Sequence, residues 1–445
     1  MTTEFTPPRT AAQLRRHGPN LTEAALRVQA ETVAADLDAQ RDQWRKGFTR
    51  RRVIAGTGAI GVAALGTQLV TTRVAFADPA TTKRTLVVVF LPGGQDGLSI
   101  VVPAGDPNLL KARPTIAVPA AALLPADRGF GLHPQLAPLV PLWTAGQMAA
   151  VVAVASPDLS RSHFQAQDCM ERGAAALTVS AGWCDRVLAA MGPGTTFRAV
   201  AEGTEMPRSF VGPQDKIVIN GIGNFRLTGS DTTRTMQALD ALYTGLDHPL
   251  AAQAKVTLQA LTAAQQIASN SAQTTVTYPG GSFAGSLRDI ARLIKAQVGL
   301  RVAEVKLGGW DMHSQLGRVD AGDMRTHLAE LAGALAAFST DLGPALDDVT
   351  LVTMTEFGRR LQENGNAGTD HGHGSVMLLL GGGLNGGRVH GAWPGLEPSA
   401  LNQGDVAGAN DYRNVLSEVL ATRFNVANSA DIFPGFQSQR IGIMR

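Results

Sequence analysis

The chain of 445 residues is 44% hydrophobic and 17% charged, enough apolar content for the core of one large or two smaller α/β domains and too much for general disorder. Its 49 glycines and 23 prolines fall between periodic segments without a collagen-like period, so they mark loops. The formal charge of +2 is unevenly spread: residues 1–77 hold 11 Lys+Arg against 6 Asp+Glu, and the remainder 28 against 31. Beyond residue 77 no basic stripe is interleaved with aromatics, and nucleic-acid binding has little support.

Thr49-Arg50-Arg51-Arg52-Val53-Ile54 opens a Gly- and Ala-rich apolar run to Val70, closed by Ala75-Phe76-Ala77. This resembles a twin-arginine export signal with a small-residue cleavage site. The twin-arginine translocase is then a partner, and cleavage after Ala77 delivers the protein to the periplasm, the cell envelope or the medium. A retained anchor is the alternative. No later stretch approaches the about 20 apolar residues a bilayer requires, so the membrane is met only through this segment. The expected division is an N-terminal extension and signal over 1–77 and one α/β domain over 78–445. Cys169 and Cys184 both lie in the exported part, where pairing is permitted, but their shared region does not establish disulfide geometry.

Thr85–Leu91 (TLVVVFL) is a short continuous apolar run of the kind that forms a buried parallel strand. Asp96 stands just past its carboxyl end, either as a metal carboxylate or as the Asp of an Asp-Gly turn. His133, before Pro134 and the helical run Gln135–Ala145, reads as structural. Ala149–Ala155 is a second buried strand, leading through Asp158, Ser160 and Arg161 to a helix that starts near Ser162. A serine at that place is an N-cap or a nucleophile beside an anionic centre held by the helix's free N–H groups. Arg161 can clamp oxyanions, and Ser162, Arg161 and His163 are the catalytic candidates.

Residues 173–285 carry helical patterns at Met236–Leu246 and Leu250–Ile267 and no motif; they are expected to cover one face of a sheet or to cap the site. Ser286–Val298 is an amphipathic helix. The strand Val302–Leu307 follows, and in extended chain Asp311 and His313 beyond it fall on one side, as a two-ligand unit or a hydrogen-bonded turn. After a long helix over Asp323–Leu342, the apolar runs Val349–Met354 and Val376–Leu380 enclose Glu356, Asp370, His371 and His373. Carboxylates and imidazoles are the donors that divalent metals accept, although Asp, Asn and Gly also form ordinary turns. Gly381–Gly387 lacks the Lys and the helix of a phosphate loop, His390 reads as an exposed turn, and Asn414–Arg423 is a final helix. Strand ends carrying Asp96, Ser162 with His163, Asp311 with His313, and Glu356 describe an α/β sandwich with a site along one sheet edge.

The motifs GGQDGL, SRSHFQAQD, GGWDMHSQ, TEFGRR, NGNAGTDHGHG and the closing FPG at 433–435 resemble the family of unknown function DUF1501, exported proteins related to the alkaline phosphatase and sulfatase superfamily. The likeness covers most of residues 84–435. It implies an alkaline-phosphatase-like three-layer α/β sandwich with a mostly parallel central sheet, and two divalent metals (zinc, manganese, magnesium or calcium) beside a Ser, Thr or modified Cys nucleophile. By position Asp96 resembles the first-strand metal carboxylate, Ser162 the nucleophile, Asp311 and His313 the superfamily's Asp and His, and Glu356 the place of its Asp-His pair. His371 or His373 resembles the last ligand, with Asp370 a ligand or an outer partner that orients an imidazole.

Two departures stand out: an Asp-x-x-x-His spacing is here Asp-x-His, and an Asp-His pair is here Glu356-Phe357. They leave room for a single metal or for lost catalysis. The absence of Cys-x-Pro-x-Arg argues against formylglycine chemistry. The resemblance thus implies an exported metal-dependent hydrolase of phosphate or sulfate esters on a small molecule or glycan. The alternative is a non-catalytic envelope protein that keeps the fold to bind a glycan or partner.

Overall fold

A computed structural model of the protein describes residues 84–445 apart from 175–178, 227–231, 244–248, 270–273 and 275. The twin-arginine motif lies outside the described residues. The main elements in chain order are β1 (Thr85–Phe90), β2 (Met148–Ala155), α1 (His163–Arg172), α2 (Trp183–Ala190), β3 (Ala199–Glu202), β4 (Ile217–Ile219), α3 (Thr232–Tyr243), α4 (Pro249–Ser269), α5 (Ser282–Lys295) and β5 (Val302–Lys306). They continue with α6 (Asp323–Leu342), β6 (Val349–Met354), β7 (Arg359–Glu363), β8 (Thr369–His371), β9 (Ser375–Gly381), β10 (Val389–His390), β11 (Leu401–Asn402), β12 (Asp405–Val406), β13 (Asn410–Asp411) and α7 (Tyr412–Phe424).

The sheet runs β10-β2-β9-β6-β1-β5-β3-β4, and β13 pairs with β2 as a ninth strand. Only β9 runs against its neighbours; every other pairing is parallel. The long strands are buried at every position of β1, β2, β6 and β9, which is why they read as unbroken apolar runs rather than alternating ones. Leu86, Val88 and Phe90 of β1 join Trp183, Val187 and Leu188 of α2 and Val415 and Val419 of α7 in one core. Alternation sends Val87 and Val89, equally buried, to the opposite face, where α5 packs on β5 and α6 packs on α5. The stripe Leu287, Ile290 and Leu293 of α5 is buried, as its spacing requires. This is a mixed α/β fold around a large, mostly parallel central sheet.

Strands β3 and β4 fall inside 173–285 and extend the sheet. Their runs, AVAE and IVI, are too short to stand out by apolar periodicity. A second compact unit contains Phe225–Gln266; within it Leu258, Leu261 and Ala264 of α4 are buried at helical spacing. Both cysteines are buried and free. No described helix is long and apolar enough to cross a membrane.

The end of β3 carries a buried carboxyl that the fold keeps protonated. Glu202 is buried, with one carboxylate oxygen unpartnered and Asp289 nearby, so burial first and then the neighbouring charge raise its pKa to about 8. A carboxyl protonated in the fold but ionised in the unfolded chain stabilises fully below the usual carboxylate range. That stability fades as pH rises through the interval up to about 8. Glu202→Gln is therefore expected to flatten the pH profile of stability and to raise the melting temperature most at pH above 8. The relief is on the order of 4 kcal/mol, checked by denaturant melts at several pH values; parallel profiles for the two proteins would contradict it.

Candidate metal centre

Parallel strands β1, β5 and β6 and the like-directed β2 deliver their carboxyl-end loops to one edge, the place where open α/β sheets bind ligands. The loop after β2 brings Arg161 and His163, the loop after β5 brings Asp311 and His313, and the loop after β6 brings Glu356. The hairpin β7–β8 folds back over this edge and contributes His371. Its tight loop needs Gly368, where a Cβ would lie 2.2 Å from the His313 carbonyl carbon. Asn364 ties the two loops together by donating to the His313 carbonyl and to Asp370 Oδ1.

Three imidazoles turn their Nε2 atoms toward Asp311 Oδ1: His163 at 3.5 Å, His313 at 3.1 Å and His371 at 3.2 Å. His163, Asp311 and His371 offer ligand atoms that all lie within 4.8 Å of one another. His313 Nε2 stands 2.9 Å from His371 Nε2. On each ring the other nitrogen faces an atom that can only accept: Glu356 Oε1 for His163, Asp370 Oδ1 for His313, and the Arg161 carbonyl for His371. The Nε2 atoms of His313 and His371 also face an acceptor, Asp311 Oδ1, so a cation among them would leave each ring its proton on Nδ1 and a lone pair on Nε2. Lone pairs converging on a carboxylate repel one another unless a cation sits among them. His163 Nε2 is buried and has no hydrogen-bond partner.

The spacings suit such a cation. Donors about 2.1 Å from a common centre lie about 3.0 Å apart at right angles and about 3.4 Å apart at tetrahedral angles. Acceptors at all three Nδ1 atoms are the kind of outer shell that orients histidines where they bind a metal. Asp311 and His313 are half exposed, so one side of the cluster is open. The Glu356 bond, against the opposing effect of burial, raises the pKa of His163.

Arg359 holds the carboxylate. Its guanidinium is fully buried and donates to the carbonyls of Gly93, Gly94, Trp310 and Thr369 and to Asp311 Oδ1 at 2.6 Å. Burial pulls the Asp311 pKa upward, but Arg359, with His371 and His163 beside it, holds it down at about 2. Arg359→Met is expected to cost about 3–5 kcal/mol by leaving these acceptors unpaired. Lysine should not restore it, because a single ammonium cannot reproduce the fork. Denaturant melts of the two variants check this, and full rescue by lysine would count against it.

The other sequence-predicted residues have separate places. Glu356 is buried beneath the cluster, accepting from Gly93 N–H and from His163, and so orients a ligand from behind. Asp370 does the same for His313. Asp96 faces Arg113: the guanidinium engages both carboxylate oxygens, at 2.6 and 2.9 Å, and both residues are buried. His373 turns away after Gly372 and sits with Nε2 2.9 Å from the Ser156 carbonyl. Arg161 adopts a left-handed backbone at φ 54, which aims its carbonyl at His371 while its guanidinium pairs with buried Asp405. Ser162 is the extended N-cap residue of α1 and makes no side-chain cap bond. His133 is structural, accepting from Gln135 N–H and bonding the Arg318 carbonyl. His390 is buried in β10, not in an exposed turn.

Arg113, Arg359 and Asp405 were missed by sequence reading because an isolated Arg or Asp carries no spacing signal. Only the run Glu356-Phe357-Gly358-Arg359, a buried strand end followed at once by a charge, hinted at Arg359.

The sequence profile of the family described as protein of unknown function, DUF1501, matches residues 154–410. The chain belongs to this family. The matched stretch of this DUF1501 protein holds the three histidines, Asp311 and their outer partners, whereas Asp96 and Arg113 precede it. No curated protein matches the chain. Among solved structures it is similar to the C-terminal periplasmic domain of EcEptC from Escherichia coli in complex with zinc, at 11% identity over 68% of this chain and 74% of that one, TM-score 0.32. It is also similar to the lipoteichoic acid synthase LtaP from Listeria monocytogenes, at 10% identity over 78% of this chain and 80% of that one, TM-score 0.24. Likenesses this distant carry no argument about the activity of the DUF1501 chain.

Proposed function

We propose that the protein is an exported, divalent-metal-dependent hydrolase of phosphate or sulfate esters. The observation that carries this reading is the convergence of His163, His313 and His371 Nε2 on Asp311, with every Nδ1 engaged elsewhere. A divalent ion bound there supplies Lewis acidity to an ester oxygen and lowers the pKa of water. The chain's own residues fix the donors: Glu356, Asp370 and the Arg161 carbonyl set the tautomers, and Arg359 holds Asp311. Ser162 is the nucleophile candidate, its hydroxyl free of a cap bond at the start of α1 and next to His163 in sequence. The pairing of Asp96 with Arg113 favours one ion over two.

A non-catalytic binding protein is the second reading, favoured by the engagement of Arg161 with Asp405, which removes the Arg161 guanidinium from the task of gripping ester oxygens. Elemental analysis of the purified protein, followed by assays on aryl phosphates and aryl sulfates with zinc, manganese, magnesium or calcium, separates the two. Bound metal with hydrolysis supports the enzyme, bound metal with inertness toward every ester supports the binder, and no retained metal with inertness under every added ion sinks the enzyme and favours the binder.

A further inference from the structure

A cavity of about 570 Å³ lies beside β10 at the edge of the sheet, apart from the metal ligands, between β10, the start of α7 and the C-terminal tail. Arg128, Arg388 and Arg440 line it, and Asp127 is its one lining acid. Beyond residue 77 acids outnumber bases, so three guanidiniums against one carboxylate form a local positive excess. Asp127 is itself engaged, accepting from Val389 N–H.

The walls are built rather than loose. Arg128, in a left-handed conformation at φ 56, is held by two carbonyls, Val389 and Gly391. The tail is latched by buried Glu418, whose carboxylate accepts from the N–H groups of Ile441, Gly442 and Met444. Because Glu418 is occupied by that latch, Arg440 meets it only at 3.7 Å and stays 70% exposed. The Arg388 side chain has no hydrogen-bond or ion-pair partner among the described residues, its backbone carbonyl alone accepting from Ala150 N–H. Asn414 accepts from Gln439 N–H, which leaves its NH₂ group toward the cavity available.

We propose that this cavity binds a phosphorylated, hydroxyl-bearing small molecule. Guanidiniums recognise phosphate by paired charge-assisted hydrogen bonds, and amide walls offer donors and acceptors to hydroxyls. The volume falls in the range of small-molecule pockets and far exceeds one inorganic anion. Chemistry and place both set the site apart from the metal centre.

Calorimetric titration of the full chain with glucose-6-phosphate, in chelator so that nothing is hydrolysed, tests the assignment against glucose and inorganic phosphate. The sugar phosphate should bind more tightly than either, and Arg388→Glu should weaken it about tenfold or more, with Arg440→Gln in the same direction. Metal content, measured separately without chelator, and melting temperature should stay unchanged in Arg388→Glu, since that side chain holds nothing in the fold. His371→Ala should leave sugar-phosphate binding intact. Absence of binding at millimolar ligand, or equal binding by Arg388→Glu, overturns the proposal. Binding lost in His371→Ala but kept in Arg388→Glu would place the anion at the metal centre and overturn it as well.

Discussion

Alanine at His371 should strip the protein of its metal. The ring offers one of the three donors that all lie within 4.8 Å of one another, stands 2.9 Å from His313 Nε2 and 3.2 Å from Asp311 Oδ1, and is aimed by the Arg161 carbonyl. Its removal leaves two of those three donors at an open centre, and affinity should fall by at least about 100-fold. Glu356→Gln keeps every donor but replaces the carboxylate that fixes the His163 tautomer, a change of the kind that costs about 10–100-fold. The order of the two effects is the test. Chelator competition on purified proteins should rank wild type first, Glu356→Gln second and His371→Ala last. Melting curves with and without added metal should converge only for His371→Ala, because an ion at about 1,000 times its dissociation constant adds about 4 kcal/mol to the stability of the protein that binds it. If His371→Ala held metal as tightly as wild type, the cluster would not be a metal centre.

The legible part of this centre was the part written in runs. Unbroken apolar runs announced the buried strands of the sheet, and the polar residues just beyond β2, β5 and β6 were legible because a strand end fixes which side of the fold a loop reaches. Asp311 and His313 could be paired from their spacing alone. What could not be read was division of labour. Glu356 and Asp311 look alike in sequence as carboxylates after a strand, yet the burial of one beneath Gly93 and the exposure of the other make the first an orienting partner and the second a donor. His371 and His373 should share a side in extended chain, but the strand stops at His371 and Gly372 packs on the Arg359 backbone, so the two rings part. Roles assigned by three-dimensional neighbours, such as Arg113 for Asp96, leave no trace at either position.

Asp96 is the residue on which the number of metals turns. As a ligand, its loss would drain metal and barely touch the fold. The structure gives it a bidentate ion pair with Arg113, both groups about 98–99% buried, with Ser99 donating to the same carboxylate. Asp96→Ala should then leave an uncompensated buried guanidinium and cost about 3–5 kcal/mol, while the folded fraction keeps wild-type metal content. Arg113→Met should cost a similar amount by stranding the carboxylate. The double variant Asp96→Leu with Arg113→Met removes both charges and should recover much of that loss. Recovery should stop short of wild type, since Arg113 also donates to the carbonyls of Leu361 and Arg360, which a methionine leaves unpaired. The measurement is a double-mutant cycle in denaturant with elemental analysis of each protein. Loss of metal in Asp96→Ala at unchanged stability would return Asp96 to the ligand set and a second ion to the site. Additive destabilisation with no recovery would deny the pair its coupling.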